Sequence, residues 1–104
     1  MVLDTHTVCA TFTFNSAESK AKFLDILNGN DGLVKTREFS GCQMIECYES
    51  VSNDNQVVIW QKWNKQSDHA AYLKMRQDSG MFDVLNTLLE SPLDVQHLAR
   101  LPNL

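Results

Sequence analysis

Apolar side chains recur along this chain with two different periods, and the order in which those periods alternate restricts the fold more than any single motif. From Thr5 to Phe14 the period is two: Val8, Ala10, Phe12 and Phe14 face one way, Thr7, Cys9, Thr11 and Thr13 the other. A second face of small, semi-polar residues suits packing against another layer better than open solvent. After Asn15 the period becomes helical through Ala17, Ala21, Leu24 and Leu27, with Asn15 expected as N-cap and Glu18 returning a hydrogen bond to it. Gly29-Asn-Asp-Gly32 interrupts this helix. The segment either restarts a short helical piece carrying Leu33 and Val34 inward or simply kinks.

Alternation returns from Gly41 to Ser50, which predicts Cys42, Met44, Glu46 and Tyr48 on one face and Gln43, Ile45, Cys47 and Glu49 on the other. The turn formers of Val51–Gln56 read as a hairpin loop into a third strand, with Val57, Val58, Ile59, Trp60 and Trp63 as its β-branched and aromatic residues. The chain turns through Asn64–Gln66 and becomes helical, with Ser67 expected as N-cap and Asp68 in the first turn. Ser79-Gly80 breaks that helix, and Met81–Glu90 resumes it with Phe82, Leu85 and Leu88/Leu89 on one side. Pro92 opens a last strand in which Val95, His97, Ala99 and Leu101 alternate. The order β-α-β-β-α(α)-β predicts an α+β, ferredoxin-like sandwich: a four-stranded antiparallel sheet with helices on one face. Cysteines, Ile45, small residues and a tryptophan are expected on the other face. That face is too apolar to leave in water, and a homodimer burying sheet against sheet would cover it.

With 104 residues and 43% hydrophobic content, the chain reads as one domain spanning 1–104. A net charge of −4, with nine basic residues scattered singly, argues against nucleic acid as a partner. No apolar run approaches the ~20 residues of a membrane span. MVLDTHTV lacks a basic region followed by an apolar one, so no membrane partner and a cytoplasmic location are expected. Cys42 and Cys47, five positions apart on one strand, would lie about 16 Å apart on opposite faces, too far to bridge. The three cysteines read as buried, reduced thiols.

The chemistry concentrates between Val57 and Gly80, where a strand ending in Trp63 is followed by a helix. On that helix His69, Tyr72 and Arg76 fall within an arc of roughly 60°. Trp63 fits a core or interface position, or the wall of an apolar pocket that orients a flat ring. Tyr72 and Arg76 fit an exposed helical pair, or a phenol and a cation aimed at a substrate oxygen to favour its anion. In a site, Arg76 would point toward the sheet and its head would meet a buried anion or carboxylate. His69 fits a solvated surface position or a general base. Glu46 fits a raised-pKa base or the solvent edge of the sheet. No pair of histidines has a metal-ligand spacing, and His6 and His97 lie toward the ends of strands not assigned as neighbours, so no metal is expected. Phosphate loops, nucleophile elbows and paired-carboxylate signatures are missing.

With Thr36-Arg-Glu-Phe-Ser-Gly-Cys42 before strand two, Trp63 closing strand three, the helix start at Ser67-Asp68, and Tyr72-Leu73, Arg76 and Gly80 after it, the chain resembles the antibiotic biosynthesis monooxygenase family of the dimeric α/β-barrel superfamily. The resemblance covers nearly the whole chain and implies a dimeric barrel. Some members oxidise polyketide-derived phenols or anthrones with O2 and no cofactor. Others cleave haem, using a strand-one Asn, a Trp closing strand three and a His in the following helical region. The Trp corresponds to Trp63, but Thr5–Phe14 contains no Asn and Tyr72 stands where many members have the His, which argues against haem degradation. The expected function is a cofactor-independent monooxygenase or related oxidoreductase acting on a small aromatic, phenolic or quinol-like molecule. The alternative is a non-catalytic dimeric module binding a small apolar ligand. Tyr72, Arg76 and His69 are the expected catalytic residues, and Trp63, Phe12, Met44 and Phe82 the substrate-binding ones.

Overall fold

A computed structural model describes residues 5–104, so the first four residues of the stretch read for a leader lie outside the described residues. The elements run β1 (His6–Thr13), α1 (Ala17–Asn28), α2 (Leu33–Glu38), β2 (Cys42–Glu49), β3 (Gln56–Trp63), α3 (Gln66–Asp78), α4 (Met81–Leu88) and β4 (Asp94–Leu98). The four strands form one antiparallel sheet in the order β2-β3-β1-β4, with the helices against one face, as the alternation of periods requires. Among the described residues no helix is long and apolar enough to cross a membrane.

The expected inward face of β1 is the centre of the core. Val8, Ala10, Phe12 and Phe14 are all buried, and the last three meet Ile45, Val57 and Ile59 from the sheet and Phe23, Leu85 and Leu88 from α1 and α4. Phe12, Phe14 and Phe23 pack ring against ring at 4.9–6.4 Å. A smaller second cluster holds Val8, Trp63 and Tyr72 together with Phe39.

Local details differ from the sequence reading where a choice depended on distant groups. Ser16, not Asn15, caps α1, accepting from the Ser19 backbone N–H at 3.0 Å. Asn15 is drawn away to donate to the Thr87 carbonyl in the last turn of α4, and among the described residues Glu18 makes no reciprocal cap bond. Phe23 is the buried residue of α1, whereas Ala17 and Ala21 are exposed. After Gly29–Gly32 the chain does restart a helix, but Thr36 is its buried residue and Val34 faces solvent. Helix α3 begins at Gln66 after Lys65, with no side-chain cap, so Ser67 lies inside its first turn. Strand β4 is short because pairing with β1 ends at Thr7↔Leu98, leaving Ala99 and Leu101 outside it.

The largest departure is a bulge in β2. Cys42 pairs with Trp63 and Met44 with Lys62, so Gln43 is an extra residue and the alternation slips by one. Cys42 therefore packs against the same core as Ile45 and Cys47, not on the opposite face from them. Burial raises the Cys47 and Cys42 thiols above their ordinary range, and all three cysteines are unpaired. The face away from the helices carries Cys9, Thr11, Val58, Trp60 and Met44, all half-buried, and neither Ile45 nor the other two cysteines.

Candidate functional site

Helix α3 turns its His69–Tyr72–Arg76 stripe inward, and these three are its buried residues. Between that stripe, the sheet and the other helices lies a cavity of about 100 Å³, walled by Phe12, Ile59, Phe23, Leu85 and Phe82, among others. Its open surface is almost wholly apolar. Asp31, Thr36, Gln61, His69, Tyr72 and Arg76 are the polar residues of the wall.

Most of these polar groups already have protein partners. Arg76 donates from Nε to Tyr72 Oη at 2.9 Å, from Nη1 to the Asp31 carbonyl at 2.6 Å, and from Nη2 to the Gly32 carbonyl at 2.9 Å and Thr36 Oγ1 at 3.0 Å. Tyr72 Oη and Thr36 Oγ1 lie 2.8 Å apart. Both oxygens accept from Arg76, and Thr36 Oγ1 can donate onward to the Gly32 carbonyl at 3.4 Å. The consistent assignment has Tyr72 donating to Thr36. The expected anion or carboxylate beside Arg76 is replaced by two carbonyls and two hydroxyls. Among the described residues no carboxylate comes within salt-bridge distance of this buried guanidinium, so its charge is uncompensated. Gly32 permits this arrangement by its missing side chain: a Cβ there would stand 2.1 Å from the Leu27 carbonyl oxygen.

His69 is the exception. Its residue is 2% exposed, and among the described residues no protein group hydrogen-bonds its ring. Burial, with His97 and then His6 adding to it, lowers its pKa to about 4, so the imidazole is neutral and holds a free lone pair. The histidines that flank it were missed by sequence spacing because they come from three different elements. His6 on β1 and His97 on β4 share the helix-side face, and His6 Nε2 lies 2.8 Å from His97 Nδ1. The ring of His69 is 6.2 Å from that of His6 and 5.7 Å from that of His97. Writing out the β1–β4 register of the expected fold would have revealed the pair. Thr36 and Gln61 were also missed as wall residues, since a buried Thr or Gln carries no periodic signal.

The other expected residues divide by their position. Phe12 and Phe82 line the cavity with His69, Tyr72 and Arg76. Trp63 does not: it is fully buried behind the stripe, its ring 5.0 Å from Tyr72 and its Nε1 donating to Gln61 Oε1 at 2.9 Å. The bulge leaves Met44 on the far face of the sheet, away from the cavity. Glu46 is exposed and accepts from the Tyr48 hydroxyl, as an edge residue does.

By sequence the chain matches no protein-family model and no curated protein. By structure it is similar to a conserved protein from Methanosarcina mazei Go1, at 14% identity over 92% of each chain and a TM-score of 0.81. It is similar also to an antibiotic biosynthesis monooxygenase, at 12% identity over 93% of this chain and 99% of the other, TM-score 0.77. A third is a monooxygenase from the gene ActVA-Orf6 of Streptomyces coelicolor in complex with the ligand nanaomycin D, at 18% identity over 94% and 92%, TM-score 0.72. The fold is thus the α+β, ferredoxin-like fold of antibiotic biosynthesis monooxygenase structures; at these identities the likeness is one of fold.

Two outcomes follow from the site's geometry. Arg76→Ala removes the donor shared by Tyr72, Thr36 and the Asp31 and Gly32 carbonyls and is expected to destabilise the protein by about 3 kcal/mol, measured by urea unfolding; a loss below about 0.5 kcal/mol would mean that the buried network does not form. The lowered pKa of His69 makes protonation costlier in the folded state than in the unfolded one. Stability should therefore fall as pH drops from 6.5 toward about 4 and level off below. His69→Leu should lose less over that window, by a margin on the order of 2 kcal/mol, in parallel unfolding curves at pH 7 and pH 4.

Proposed function

We propose that the chain is a member of the antibiotic biosynthesis monooxygenase family that binds a small phenolic or quinol-like ring in the cavity and oxidises it with O2. The observation that carries this reading is the cavity's composition: apolar walls, one uncompensated buried cation and one unpartnered neutral imidazole. A flat apolar ring fits such walls, and a space of this size is of the order of the ~150 Å³ that admits benzene. Ring hydroxyls need a base and ring oxyanions need positive potential. His69 has the free lone pair to take the proton, and Arg76, held by Tyr72 and Thr36, supplies a fixed positive field at low dielectric. The resulting electron-rich anion is the form that reacts with O2. That the Streptomyces coelicolor monooxygenase holds nanaomycin D supports a small-molecule ligand here.

A purely binding role is the second reading, favoured by the nearly complete apolarity of the open cavity surface. O2 uptake with a panel of phenols, quinols and anthrones separates the two. The expected result is uptake with at least one of them, reduced about a hundredfold in kcat by His69→Gln with ligand affinity kept within a few-fold. Saturable binding with no uptake across the panel would instead establish the binding module.

The sheet face away from the helices supports a homodimer. Its centre is Val58, Trp60, Cys9 and Met44, all half-buried, flanked by Tyr48 at 52% exposure, a contiguous apolar patch of the kind that pairing covers. Sedimentation at micromolar concentration should show twice the chain mass, and Trp60→Glu should return it to monomer; a wild-type monomer at that concentration would refute the pairing.

A further inference from the structure

The three histidines have a geometry that the proposed chemistry does not use. One ring nitrogen from each, drawn from β1, α3 and β4, lies within 4.8 Å of the other two. Around a tetrahedral ion with metal–nitrogen distances of ~2.0–2.1 Å, ligand nitrogens stand about 3.3 Å apart. His6 Nε2 and His97 Nδ1, at 2.8 Å, stand near that spacing, and the His69 nitrogen lies within 4.8 Å of its partners, so small side-chain rotations can close the set. Two ligands sit on hydrogen-bonded neighbouring strands and the third on a helix packed over them, so the backbone holds the set in place without a loop.

A second observation points to a ligand. Among the described residues no protein group hydrogen-bonds the His69 ring, and since no fully buried side-chain nitrogen or oxygen lacks a partner, its ring nitrogens open on accessible space; His6 and His97 bond each other. The cluster is made of imidazoles alone, with no carboxylate or thiolate in it. What they jointly offer is lone pairs.

We propose that His6, His69 and His97 form a three-nitrogen site for one late first-row divalent metal ion, zinc or cobalt being the probes of choice. Neutral imidazoles without carboxylate or thiolate suit zinc, copper, nickel or cobalt and do not suit magnesium or calcium. Three protein ligands leave a fourth tetrahedral position for water or another small ligand. His69 alone of the three also lines the cavity, so loading alters the cavity: one ring nitrogen is taken by the ion and the other becomes an N–H donor. The site does not depend on what the cavity binds.

The test is Co2+ and Zn2+ titration of untagged, chelator-treated protein. One ion per chain should bind with submillimolar affinity. The Co2+ form should show the visible bands of a four-coordinate nitrogen site without a thiolate charge-transfer band, and Zn2+ should raise the thermal unfolding midpoint while Mg2+ does not. His97 is exposed, so His97→Ala should fold normally and lose affinity by about tenfold or more, with His6→Gln behaving alike. No saturable uptake, a thiolate spectrum, or unchanged affinity in both variants would overturn the site. Phenol binding by the chelator-treated protein reports on the cavity alone, so either reading can fail without the other.

Discussion

The geometry of the cavity depends on a buried guanidinium that has no counter-ion. Taking Arg76 out of water costs several kcal/mol. Its charge-assisted hydrogen bonds to the Tyr72 hydroxyl, the Thr36 hydroxyl and the Asp31 and Gly32 carbonyls return roughly 1.5–3 kcal/mol each. The arrangement also fixes position. It fastens the last turn of α3 to the first turn of α2, two helices that come from different halves of the chain. Replacing Gly32 with any larger residue would drive a Cβ into the Leu27 carbonyl and move both acceptors. The wall of the cavity is thus set by one side chain reaching across the fold.

Closure of that network separates the polar residues of α3 into two kinds. Tyr72 has its proton directed to Thr36 and a lone pair taken by Arg76, so its hydroxyl positions other groups. His69, one turn earlier, has no such partner and remains available. Trp63 belongs with the first kind: its ring packs on Tyr72 and its N–H is used by Gln61, so it backs the stripe without facing the cavity. Aromatic residues near a site are often assigned to the ligand, but here Phe12, Phe23, Tyr72 and Phe82 line the open space and Trp63 does not.

What was legible in the sequence was local periodicity. The four strands, both interruptions at Gly29–Gly32 and Ser79-Gly80, and the shared stripe of His69, Tyr72 and Arg76 follow from periods of two and 3.6, whereas the inward direction of that stripe does not. What escaped depended on partners far along the chain. Asn15 loses the cap to Ser16 because Thr87 offers it a carbonyl, and Met44 leaves the cavity because β2 bulges where it pairs with the end of β3. The histidine cluster escaped because ligand spacing along a chain finds pairs within one element, while His6 and His97 are 91 residues apart and meet through strand register.

The stripe also sets what kind of ring could use both ends of the cavity. His69 and Arg76 are seven residues apart on one helix, about 10 Å along its axis. The cation lies toward α2, held by the Asp31 and Gly32 carbonyls, and the free imidazole lies toward His6 and His97 at the β1–β4 side. A single hydroxyl small enough to meet one of these groups leaves the other unused. A ring bearing oxygens on opposite edges can place one near the imidazole and the other in the field of the guanidinium. Loss of a proton at the first then puts negative charge into the ring, and the second oxygen carries part of it toward Arg76. Within the proposed chemistry, the spacing of the two groups therefore favours a quinol over a simple phenol, because only the quinol lets the buried charge of Arg76 act on the anion that His69 creates.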